Sequence, residues 1–176
     1  QRLAEQGLLT HEPYRGVHLT AEGRRAALRT LRRHRILECF LTAMLGYSWD
    51  HVHEEADRLE HAASDDLIDR MAAALGEPAF DPHGAPIPTR EGTVDETIHA
   101  TLADVETGAP ARVARVVEHD SGVLRYLDEL GIRPGVDVVI TSRAPFGGPI
   151  TLEVAGVTRS IGPALAAQVM VKAAGA

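Results

Sequence analysis

Hydrophobic and polar positions divide the chain into four stretches. Residues 1–7, QRLAEQG, read as the end of a helix that Gly7 stops. Two short apolar strands, 8–10 and 17–19, flank a polar turn holding Pro13 and Gly16. Helical patterning then predicts helices over 21–45, 50–62 and 65–75. Thr20 and Ser64 are suited to cap the first and third of these, and Gly46 and Gly76 to end them.

The pattern changes after residue 76. EPAFDPHGAPIPTREG (77–92) has four prolines and no apolar period, so it reads as a linker or extended surface crossing. From 101 onward the alternation is that of β-structure, with strands expected at 111–117, 136–142, 150–154, 157–161 and 168–172. A short amphipathic helix at 121–130 interrupts them. Five short strands with Gly/Pro turns predict a small SH3-like barrel. The expected fold class is therefore α+β, with segments at 1–20, 21–76, 77–100 and 101–176.

Composition narrows the class. Hydrophobic residues make up 44% and aromatics only 4%, so the core is aliphatic. No apolar run approaches the roughly 20 residues of a membrane span, and the single cysteine, Cys39, fits a reducing cytoplasm as a small buried hydrophobe. The net charge of −7 conceals an asymmetry. Residues 1–35 carry eight arginines against three glutamates, while 36–99 carry three arginines against fourteen acids. A basic start suits a polyanion and an acidic middle suits cations, although both are also what solvated helix faces look like.

The acidic middle contains HEEADRLEH (53–61). At about 100° per residue, His53, Asp57, Glu60 and His61 share one helical stripe, whereas Glu54, Glu55 and Arg58 point elsewhere. In the preceding helix, His34 and Glu38 stack at i, i+4. If these helices pack side by side, six imidazole and carboxylate groups converge. Nitrogen and hard oxygen without sulfur suit Mn²⁺, Fe²⁺, Co²⁺ or Zn²⁺. The zinc-protease pattern HExxH is not met, because position 57 is Asp. His51 falls off the stripe, and Trp49 is expected to pack where two helices meet.

Taken in order, RLAEQGLLTHEPYRGVHLTAEGRR, HRILECFL, VHEEADRLEHAAS, DPHGAPIP and LGIRPG resemble the metal-dependent transcriptional repressors of the diphtheria-toxin-repressor type. The resemblance implies a winged helix-turn-helix, a helical dimerisation and metal domain, and a C-terminal SH3-like domain. Residues 1–6 would be the tail of the recognition helix and 8–20 the wing, so the chain reads as truncated in its helix-turn-helix. The resemblance assigns Asp57, Glu60 and His61 to a primary metal site, with a further ligand from an upstream helix. It assigns His34, Glu38 and His53 to an ancillary site, with help from Asp120, or from Glu118 or His119. A carboxylate at position 57, where iron sensors tend to have cysteine, favours Mn²⁺ over Fe²⁺. His83 would serve as a structural connection.

The expectation is a cytoplasmic homodimeric repressor controlled by Mn²⁺ or Fe²⁺ that binds DNA, with no membrane partner and no catalytic activity. Arg15, His18, Arg24 and Arg25 are the candidate DNA contacts, and Arg25, Arg29 and Arg32 form a basic stripe. Pairing with acids of the middle region is the competing role for these arginines. The competing functions are a metal-dependent hydrolase using the same cluster and an SH3-like adaptor.

Overall fold

The structure is a computed structural model that describes residues 2–12, 16–117 and 120–174. A one-turn helix α1 (Arg2–Glu5) leads into a two-stranded antiparallel ribbon, β1 (Leu9–Glu12) and β2 (Gly16–Leu19), paired Leu9 to Leu19. The hydroxyl of Thr20 then does two jobs. It accepts from Gly23 N at 3.0 Å, capping helix α2 (Ala21–Leu45), and donates to the Gly7 carbonyl at 2.7 Å, which ties the ribbon to the helix start. A Cβ at position 23 would lie 2.0 Å from Leu8 O, so only glycine lets the ribbon approach this closely.

Helix α2 ends at Gly46, which adopts φ 74°. Helices α3 (Val52–Glu60) and α4 (Asp65–Ala74) pack against it. Their buried side is narrow: Val52 and Ala56 on α3, Ile68 and Ala72 on α4, facing Ile36, Leu37 and Leu41. Both alanines are fully buried, and their small size brings the helices close. Ser64 caps α4 through Leu67 N at 3.3 Å.

The Pro-rich stretch departs from expectation. Residues 81, 83–85, 87 and 88 are buried, and Ile87 joins the helical core. The Asp81 carboxylate accepts from His83 N at 2.8 Å and Ala85 N at 2.9 Å, which bends the chain into a tight turn. Gly84 sits at φ 85°, and a Cβ there would lie 2.1 Å from Ala114 O. The turn is pressed onto the β-domain, with Val116 N donating to His83 O at 2.9 Å. The stretch is therefore not a surface crossing: the buried Asp81 carboxylate satisfies the backbone donors of the turn.

Among the described residues the C-terminal sheet has six strands rather than five. All are antiparallel, in the order β3 (Ala100–Thr101), β8 (Val169–Ala173), β4 (Pro110–Val116), β5 (Asp137–Arg143), β6 (Ile150–Val154) and β7 (Val157–Ile161). The added strand, β3, spans only two residues, too few to leave an alternation in the sequence. Irregularities between Val113 and Arg115 and between Ile140 and Ser142 bend the sheet. Helix α5 (Ser121–Glu129) inserts Leu124 and Leu127 into the core beside Ile132, Ile140, Leu152 and Ile161. A second short helix, α6 (Pro163–Ala166), precedes β8.

Trp49 also departs from expectation. It lies in the loop between α2 and α3 and is 5% exposed, but it belongs to the core of the β-domain and not to a helix–helix contact.

Candidate metal centre

The side-by-side packing of α2 and α3 brings five of the six helical candidates together. His34 stands at the centre. Its Nε2 is 3.0 Å from Glu38 Oε1 and 2.9 Å from His53 Nδ1, and that nitrogen is itself 3.0 Å from the same carboxylate oxygen. Its Nδ1 faces the other way, 2.9 Å from Glu60 Oε2 and 3.2 Å from Asp57 Oδ1. The imidazole is therefore the wall between two donor groups, His34/Glu38/His53 and His34/Asp57/Glu60. Both open onto one cavity of about 530 Å³.

The donor set fits a divalent cation. Two ring nitrogens and a carboxylate oxygen form a triangle with sides of 2.9–3.0 Å. Only one proton can lie between the two nitrogens, so a cation on the triangle's face answers all three donors together. A triangle of this size is one that an ion with bonds of about 2.1 Å to nitrogen and oxygen can cap.

Electrostatics fit the same description. Burial opposes ionisation of Glu38, but the bond from His34 and the nearby His83 outweigh it and hold the carboxyl far below the usual range. Burial likewise opposes the charged form of His34. Glu38, Glu60 and Asp57 reverse this, and its pKa is raised. Burial pushes the Cys39 thiol up to about 12, with Asp81 and Glu38 adding to it, so this cysteine is a neutral hydrophobe that donates to Phe80 O.

Sequence reasoning missed a third group, Glu38/Asp81/His83, in which all three residues are buried. His83 Nδ1 is 3.8 Å from Glu38 Oε1, and its Nε2 is 2.9 Å from Trp49 O. Burial and the charge of Glu38 raise the pKa of Asp81. The available signal was an Asp-x-His in the turn DPHG, which the prolines around it made look like surface.

The other candidates are placed as follows. His61 is 78% exposed at the end of α3, 3.2 Å from Glu60 Oε1, and joins none of the three groups. Asp120 caps α5, accepting from Gly122 N at 2.8 Å and Val123 N at 3.0 Å, and is also outside the three groups. Glu118, His119 and Arg15 lie outside the described residues. His18 is exposed on β2. Arg24 pairs with Glu96, Arg25 with Glu22, and Arg33 with Asp65 at 2.8 Å. Arg32 donates to Pro88 O at 3.1 Å and lies 3.6 Å from Asp69.

A helical domain with clustered imidazole and carboxylate donors, joined to an SH3-like β-domain, defines the class of two-domain metal-binding regulators. Residues 20–89 match the family described as iron dependent repressor, metal binding and dimerisation domain, and residues 100–173 match the FeoA domain. The chain is 30% identical over 167 residues to the iron-dependent repressor IdeR of Mycobacterium tuberculosis (strain ATCC 25618 / H37Rv), covering 88% of this chain and 72% of that one. It is 31% identical over 165 residues to the diphtheria toxin repressor of Corynebacterium jeikeium (strain K411), covering 80% and 69%. A solved manganese-dependent transcriptional repressor in complex with manganese superposes with a TM-score of 0.87 at 43% identity, covering 97% of this chain and 79% of that one. The chain belongs to the family of iron- and manganese-dependent transcriptional repressors that includes IdeR and the diphtheria toxin repressor. These relatives are repressors and not enzymes, which removes the hydrolase alternative.

Proposed function

We propose that this chain carries the metal-sensing and dimerisation parts of a DNA-binding repressor that responds to Mn²⁺ or Fe²⁺ in the cytoplasm. The observation that carries the reading is the convergence of His34, Glu38 and His53, with donor atoms 2.9–3.0 Å apart, beside a second group that shares His34. His34, Glu38 and His53 would hold one ion. Asp57 and Glu60, with His61 after a small movement of the α3 end, would hold another. The all-N/O donor set, with a hard carboxylate at position 57, favours Mn²⁺. A bound ion supplies the positive charge that lets these carboxylates and imidazoles face one another.

The chain's own residues do the rest. His34 links the two donor groups, so a change at one is felt at the other through a single ring. Glu38 is drawn from α2 and His53 from α3, so ligation sets the angle between those helices. The ribbon β1–β2 is fixed to the start of α2 through Thr20 and Gly23, which makes the helix a rigid arm between the site and the wing. Arg24 and Arg25 lie at the start of that arm and His18 on the wing strand before it, and exchange of the exposed arginine pairs for DNA phosphates requires little energy. Met44, Leu45 and Leu67 are exposed apolar residues near the ends of α2 and α4, suited to a two-fold homodimer contact.

The test is a Mn²⁺ titration of the wild-type chain and of His34→Ala, Asp57→Ala and His61→Ala. Saturable binding that His34→Ala abolishes or halves in stoichiometry supports the reading. Unchanged uptake in both His34→Ala and Asp57→Ala refutes it.

A further inference from the structure

Trp49 is attached to one domain by the chain and to the other by its surroundings. It leaves the loop after α2, yet its ring lies in the core of the β-domain. The Arg133 guanidinium, from the segment after α5, lies 5.4 Å from the ring centroid. His83 stacks on the ring, with centroids 5.4 Å apart and planes at 25°. Trp49 Nε1 donates to Pro82 O at 3.0 Å, and the Trp49 carbonyl is 2.9 Å from His83 Nε2. His83 then presents Nδ1 to Glu38 Oε1 at 3.8 Å, while its own carbonyl accepts from Val116 N of β4 at 2.9 Å. The neighbouring Asp50 pairs with Arg125 of α5 at 3.3 Å. A continuous set of contacts thus runs from the barrel through Trp49 and His83 to the Glu38 carboxylate of the donor cluster.

We propose that Trp49 is a positioning residue that seats the SH3-like domain against α2 and α3 and, through His83, fixes the orientation of Glu38 for metal binding. The inference rests on the metal-sensing reading above and adds a role for the β-domain that involves no ligand from it. If the barrel's seating orients Glu38, then metal at Glu38 must in turn strengthen the seating, because the coupling between two equilibria is reciprocal.

The experiment measures Mn²⁺ affinity and amide hydrogen exchange at Val116 in wild type, Trp49→Ala, Trp49→Phe, Arg133→Ala and Glu38→Gln. Residues that orient metal ligands typically change affinity about 10- to 100-fold when removed. Trp49→Ala is expected to weaken Mn²⁺ binding about tenfold, and Trp49→Phe, which keeps a ring in the same place, to restore most of it. Mn²⁺ is expected to slow exchange at Val116 in wild type and not in Glu38→Gln. In folded Trp49→Ala at saturating Mn²⁺ that protection is expected to be lost, whereas a tryptophan that only stabilised the fold would leave it in place. If Trp49→Ala does not fold, Arg133→Ala decides: weakened binding supports the proposal and wild-type affinity overturns it. Wild-type affinity in a folded Trp49→Ala, or Val116 exchange indifferent to Mn²⁺ in wild type, overturns it as well. A wild-type chain that takes up no Mn²⁺ overturns the metal reading itself and this inference with it.

Discussion

Replacing Glu38 by Gln in the metal-free chain removes one charge from the best-buried position in the cluster. The Glu38 side chain is 2% exposed, and one of its oxygens meets His34 Nε2 and His53 Nδ1, each at 3.0 Å. Removing one partner of a buried ion pair costs about 3–5 kcal/mol. Two features put this case at the lower end. Glutamine keeps an oxygen that can accept one imidazole N–H, and Glu60 and Asp57 still flank the other ring nitrogen at 2.9 and 3.2 Å. The expected loss at pH 6 is therefore about 3 kcal/mol. Its pH dependence follows from the shifts. The His34 pKa is raised above 6.5, so its pairing stabilises fully below 6.5 and fades as pH rises through the raised value. The Glu38 pKa is depressed, so its contribution is present above 4.5 and fades as pH falls through the depressed value. The difference between wild type and Glu38→Gln is largest between these limits and shrinks toward pH 9. Urea unfolding followed at 222 nm in the presence of a chelator, at pH 6 and pH 9, measures it. A loss below about 1 kcal/mol at pH 6, or one that does not shrink at pH 9, refutes the reasoning.

Three further outcomes are expected. Mn²⁺ uptake should release protons and tighten from pH 6 to pH 8, because the ion displaces a proton from His34, whose pKa is raised; titration calorimetry in buffers of different ionisation enthalpy counts them. Gly84→Ala should destabilise by more than about 2 kcal/mol, since a Cβ meets Ala114 O at 2.1 Å, whereas Gly76→Ala, with a similar φ and no atom within 4 Å, should cost about 1 kcal/mol; thermal melts compare them. Leu67→Glu together with Met44→Glu should convert a dimer to a monomer in sedimentation without changing Mn²⁺ stoichiometry, because both side chains are exposed and lie outside the donor groups.

The helical site was largely legible because helical geometry is local. His34 with Glu38, and His53 with Asp57 and Glu60, share faces by a periodicity that the backbone enforces, and those faces do meet. Asp81 and His83 were not legible. They reach the cluster only because a turn with its own side-chain acceptor folds DPHG back under α2, and no period records such a turn. Trp49 was misplaced for a related reason. An apolar ring in a short interhelical loop has no sequence mark saying which of two cores will take it.

Local rules thus determined the capped helices, the Ala155-Gly156 hairpin, the aliphatic barrel core and the choice of nitrogen and oxygen donors. Tertiary structure decided the partnerships. It made His34 common to two donor groups, buried the Pro-rich turn between the domains, and seated Trp49 in the barrel. The division has one physical cause. Periodicity and capping depend on neighbours within about four residues, whereas these contacts join residues from 19 positions apart, as for His34 and His53, to 84 apart, as for Trp49 and Arg133, and form only when whole elements pack.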